Sequence, residues 1–142
     1  MKTRFTSLVH VKKNMVQKSE RIVQQANENC KKAQEALRGS LSDLQNITLA
    51  SHGKIAQLLA NRTLIEAQRS MIQHNKDWLE YANSELKAAK EQLKKDMIEY
   101  EKYKYLEYEE IQKALKKMKI QESRDLDEVA LMTHTNKNKE SS

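Results

Sequence analysis

Leu58, Ile65, Ile72, Leu79, Leu86, Leu93 and Tyr100 stand seven residues apart without interruption, with Ala82 and Ala89 as smaller companions. A sustained seven-residue apolar repeat is the seam of a coiled coil, because it keeps one stripe of a slightly underwound helix facing a partner helix. A sheet is ruled out on other grounds. Strands need β-branched and aromatic residues with turn formers at the reversals, whereas this chain has no proline, two glycines, one Phe and one Trp in 142 residues. The chain is expected to be all-α.

The first half carries a different register. Leu8, Val11, Met15, Ser19, Ile22, Ala26, Cys30, Ala33, Leu37, Leu41, Leu44 and Thr48 advance by three or four, forty residues in eleven steps or about 3.64 per step. That period predicts a nearly straight helix keeping one stripe toward its partner. Gly39 lies inside this stripe and is expected to cost the helix about 1 kcal/mol without ending it. The reversal falls at residues 49–57, where Gly53 can take the positive φ of a helix carboxyl cap and Ser51 can serve a neighbouring helix end.

The expected architecture is a long two-helix antiparallel coiled-coil hairpin over residues 1–132. The first helix spans about 4–48, and a longer second helix spans about 58–130. With the reversal near Gly53, the first helix reaches only to about residue 100 of the second. About thirty residues are left without a partner inside the chain, and Ile111, Leu115 and Met118 are uncovered. From Thr133 the apolar periodicity stops, and residues 133–142 are expected to form a disordered tail.

The same sequence excludes several kinds of chemistry. A phosphate-cradling GxxxxGK loop needs two glycines five apart, and the two here are Gly39 and Gly53. One cysteine, Cys30, allows no internal disulfide and no thiolate cluster, and on the stripe it reads as a small core residue. His10, His52, His74 and His134 are too scattered for a ligand set. Asp96, Glu99 and Glu101 have catalytic spacing but no dry cleft in which to converge. The expectation is a non-enzymatic protein with no cofactor, no metal and no small-molecule substrate.

Charge is unevenly spread. Residues 1–50 hold nine Lys or Arg against four acids, whereas 91–132 hold nine against eleven. Residues 1–19 contain five basic residues and no acid, a composition shared by basic helix faces and mitochondrial presequences. No stretch reaches the eighteen or so apolar residues of a membrane span, so a cytosolic protein is expected. Tyr100, Tyr103, Tyr105 and Tyr108 beside Lys102 and Lys104 have the makings of a base-stacking surface. The glutamates among them repel phosphate, however, and the periodicity places Tyr100 and Tyr108 on the seam with Tyr105 pointing outward. Nucleic acid is not an expected partner.

Several short stretches, taken in order, carry a family resemblance. The chain opens Arg4-Phe5-x-x-Leu8-x-x-Val11-Lys12-Lys13 and continues through Cys30-Lys-Lys-Ala-Gln-Glu-Ala-Leu37 and Leu44-Gln45-Asn46. Gly53 lies between the helices, and Glu122-Ser-Arg124-Asp-Leu-Asp127-Glu128-Val-Ala130 closes the pattern. Over about residues 4–132 the chain resembles the FliJ family of flagellar export proteins, the stalk-like component of the flagellar type III secretion apparatus, similar in shape to the γ subunit of rotary ATPases.

The resemblance implies a hairpin that enters the pore of the hexameric export ATPase, promotes its ring assembly, and links it to the cytoplasmic domain of the membrane export gate. It also implies contact with export chaperones, and a cytoplasmic location at the inner face of the membrane at the flagellar base. On that basis Phe5, Leu8, Ile111, Leu115 and Met118, at the open ends of the hairpin, are expected to meet the ATPase. Leu44, Ile47, Ile55 and Leu59, near the turn, are expected to face the export gate. The alternatives are a self-associating structural coiled coil, or a secretion chaperone without an ATPase role.

Overall fold

The structure, a computed structural model, describes residues 1–49 and 55–140, apart from the side chains of Leu49, Ile55, Ala56, Leu58 and Glu140. Two helices account for nearly all of it: α1, Thr6–Leu49, and α2, Ile55–Glu140. The fold is the expected all-α two-helix antiparallel hairpin with a longer second helix. The reversal assigned to Gly53 and Ser51 lies outside the described residues, as do the side chains of Ile55 and Leu58.

The start of α1 is set by two threonines. Thr3 Oγ1 accepts from the Phe5 amide at 3.1 Å, and Thr6 Oγ1 accepts from the Thr3 amide at 2.8 Å. This reciprocal arrangement satisfies amides that have no partner inside the helix. Gly39 lies within α1, as its place in the apolar stripe predicts.

Contacts divide the chain into two compact units, residues 14–97 and residues 1–13 with 98–142. In the first, Cys30, Ala33 and Ala82 form the buried centre, with Leu79 and Leu86 packed against them. Ala33 is fully buried, and among the described residues no large side chain is. Small residues on α1 opposite leucines on α2 let the seam close with few atoms, so burial per residue is modest.

Polar groups complete this seam. Ser19 Oγ donates to Asp96 Oδ2, and Gln92 Nε2 donates to Asp96 Oδ1 at 3.1 Å. Asn75 Nδ2 donates to Ser40 Oγ at 3.1 Å and to the Ala36 carbonyl at 3.2 Å, while Gln68 Nε2 donates to the Ser40 carbonyl at 2.8 Å. Ser19, Ser40, Asn75 and Asp96 are all buried. Their mutual bonds remove the cost of unpaired buried polar groups and tie the antiparallel register to particular partners.

The register expected for α1 holds through its middle and fails toward both ends. Leu8, Val11, Met15, Ile22 and Leu41 are all exposed. The positions turned inward are Phe5, Val9, Lys12, Val16, Ser19, Val23, Ala26, Cys30, Ala33, Leu37, Ser40, Leu44 and Ile47, forty-two residues in twelve steps of alternating four and three. α1 therefore follows the same seven-residue repeat as α2. The expected stripe coincides with the packed one at Ser19, Ala26, Cys30, Ala33, Leu37 and Leu44 and drifts off it on either side, because its average step of about 3.64 residues is longer than the 3.5 of the packed repeat.

In the second unit, residues 1–13 lie against the part of α2 that follows Ile98. Phe5 and Val9 turn inward, and the α2 seam positions are Tyr100, Tyr103, Glu107, Glu110 and Ala114. From Leu115 to Lys139 every side chain is exposed. α2 extends to Glu140, through the residues for which the sequence predicts a disordered tail. There Thr133 and Thr135 hydroxyls donate to the carbonyls of Val129 and Leu131 at 2.9 and 2.8 Å, and Lys137 and Lys139 in the last turn complement the helix dipole. Such bonds are local to the helix.

Candidate partner-binding surfaces

The amino-terminal segment is fastened to α2 by a mixed aromatic and ionic contact. The Phe5 and Tyr103 rings lie 6.4 Å apart at 42°. Arg4 pairs with Glu110 at 3.0 Å, and its guanidinium sits 4.9 Å from the centre of the Phe5 ring. Lys12 bridges Glu99 at 3.8 Å and the face of Tyr103 at 5.6 Å. Exposed ion pairs contribute little singly, so the ring contact and the half-buried stem of Lys12 do most of the fastening. One carboxylate oxygen of Glu107 is buried without a hydrogen-bond partner.

Two of the four tyrosines stand where the sequence puts them and two do not. Tyr100 lies on the seam with Lys104 over its ring and Tyr105 points outward, whereas Tyr103 joins the seam and Tyr108 is exposed. The reason is the repeat: from Tyr100 the seam steps to 103 and 107, which leaves Tyr108 outside it. The Glu109 carboxylate, hydrogen-bonded to the Tyr105 phenol, raises that group above the usual tyrosine value.

The residues expected at the open ends fall into two groups. Phe5 and Ile111 are half-buried within the unit, whereas Leu8, Leu115 and Met118 are exposed at 39, 40 and 51%. Past Met118 the apolar stripe continues through Leu126 and Val129, at 70 and 59%. Near the reversal, Leu44 and Ile47 are half-buried on the seam of α1 and Leu59 is 63% exposed. The Ile55 side chain lies outside the described ones.

A further exposed apolar face escaped sequence reasoning. Met71, Trp78 and Tyr81 on α2 are exposed, and His74, Asp77, Trp78 and Tyr81 line a groove open to solvent. The signal was present, since these large side chains recur at three and four residues away from the seam positions of the same helix. No helix among the described residues is long and apolar enough to cross a membrane.

A hairpin that buries one narrow stripe per helix, and leaves other apolar stripes exposed on the longer helix, defines an all-α coiled-coil protein. The family model for the flagellar FliJ protein matches residues 1–139. The chain belongs to that family and is a component of flagellar protein export. No curated protein and no solved structure matches the chain.

Proposed function

We propose that the chain is the non-enzymatic stalk of the flagellar export apparatus. In this reading it enters the central pore of the hexameric export ATPase, promotes ring assembly and ATP turnover, and connects the ring to the cytoplasmic domain of the membrane export gate. Contact with export chaperones, and a position at the inner face of the membrane at the flagellar base, belong to the same reading. Family membership supplies the setting. The observation that carries the reading is the end of α2, where every side chain from Leu115 to Lys139 is exposed although apolar residues recur along one stripe. A lone helix gains nothing in water from an uncovered apolar stripe, so a receiving surface accounts for it.

Phe5, Leu8, Ile111, Leu115 and Met118 form the proposed ATPase contact, and Leu44, Ile47, Ile55 and Leu59 the proposed gate contact. Replacing Leu115 and Met118 by serine, and Ile111 by threonine, is expected to weaken ATPase binding at least tenfold, with helicity near that of the unaltered chain. Binding by pull-down or interferometry, with circular dichroism as the control, decides it. Undiminished binding would remove the end of α2 from the ATPase contact.

A further inference from the structure

Every buried residue among the described ones lies between Val16 and Asp96. Residues 1–13 and the part of α2 they lie against hold none. On this stretch α1 turns Phe5, Val9 and Lys12 inward, and α2 answers with Tyr100, Tyr103, Glu107 and Glu110. Three carboxylates face the amino-terminal segment. Lys12 pairs with Glu99 at 3.8 Å and Arg4 with Glu110 at 3.0 Å. Glu107, between them in sequence and on the seam itself, has one carboxylate oxygen buried with no partner.

We infer that residues 1–13 form a clasp that opens and closes on the segment of α2 after Ile98 while residues 14–97 stay paired, and that Glu107 is the residue that keeps the clasp loose. Closing gains the Phe5–Tyr103 ring contact, the packed stem of Lys12 and two ion pairs. The pairs add little, since the Arg4 side chain is 76% exposed. Closing also strips water from a carboxylate oxygen that receives no hydrogen bond in return, and that works against it. A segment without one buried side chain belongs to the part of a structure that opens locally. The opening has a definite limit, because Ser19 and Gln92 both donate to the buried Asp96 carboxylate just inside the border, and parting them would leave that charge unpaired.

Ordinary fraying of a helix end is a different motion. It loosens residues one after another from the terminus and is indifferent to Glu107, whereas Phe5 and Lys12 both grip the one Tyr103 ring and let go of it together. Opening bares Phe5 and Ile111, which are half-buried in the closed arrangement. In the stalk reading these two belong to the ATPase contact, so the clasp sets how much of that contact is available. The inference itself concerns the free chain and does not rest on that reading.

The test measures distances between two spin labels by pulsed electron paramagnetic resonance. It uses the full chain with Cys30→Ser, which keeps a donor to Asn83. His10→Cys with Tyr105→Cys reports on the clasp and Asn27→Cys with Lys90→Cys on residues 14–97; all four positions are exposed and off the seam. The clasp pair is expected to show two distances, with an open population of about a tenth or more, and the second pair a single one. Glu107→Leu should lower the open-to-closed ratio about tenfold, and Tyr103→Ala should raise it about as much. Glu107→Gln removes the charge without adding apolar contact and should lower the ratio severalfold, which separates the carboxylate from packing. A single closed distance in the unaltered chain would overturn the inference. So would an open population that neither Glu107 variant reduces, or a second pair that opens along with the first. Each of these results leaves the ATPase reading standing, since no ATPase is present.

Discussion

Gly39 sits in the middle of α1, exposed, with open space where a Cβ would stand. A glycine in a helix interior costs conformational entropy that an alanine does not, and here nothing collides with the added carbon. Gly39→Ala is therefore expected to stabilise the chain by about 0.5–1 kcal/mol in urea unfolding. At Ser19 the expectation runs the other way. Its hydroxyl donates to the buried Asp96 carboxylate, and Ser19→Ala removes that donor while leaving the carboxylate in place. The cost should be about 1.5–3 kcal/mol, read from the same unfolding transition. An unchanged midpoint would mean that water replaces the serine at the seam.

At the scale of the helices, α2 was legible along its whole seam and α1 only through the middle of its own, and the difference lies in what fills the seam. On α2 the positions from Ile65 to Tyr100 are large apolar residues at intervals of seven, so the pattern declares itself. On α1 the buried positions include Lys12, Ser19, Ala26, Cys30, Ala33 and Ser40, while Leu8, Val11, Met15 and Ile22 face solvent. A search for apolar side chains then finds the true stripe from Ala26 to Leu37 but settles one position before it at Leu8, Val11, Met15 and Ile22 and one after it at Leu41 and Thr48. The polar bonds that license Ser19, Ser40 and Asn75 on the seam are long-range, and no local pattern announces them. The uncovered end of α2 was legible in outline from the helix lengths on either side of the reversal, but that count stops the pairing near residue 100, whereas residues 1–13 carry it to Ala114 and half-bury Ile111. The fastening of Phe5 onto Tyr103 was not, since it depends on which of four tyrosines falls on the seam. The α1 register has a direct test. Val16→Asp, at a buried position, should cost more than about 2 kcal/mol by placing a carboxylate on the seam, whereas Met15→Asp next to it should stay within about 0.5 kcal/mol. Equal costs would contradict the seven-residue register.

For the whole molecule, the two helices bury little and expose much, which suits a protein whose stability and role depend on what surrounds it. The seam fixes one antiparallel register through specific polar partners, and the rest of the surface is left to others. Family membership sets the chain within flagellar export, and the proposed ATPase contact extends from Ile111 into the uncovered stripe beyond Ala114. The central claim is that this stripe is received by the export ATPase and that its burial drives the ring together. The most direct test is to titrate the full chain into the export ATPase of the same genome, following ATP hydrolysis and ring assembly in one experiment. The account predicts that both rise together and saturate near one chain per ring. A titration that moves neither, with an ATPase that assembles and turns over normally when ring formation is driven by other means, would contradict it.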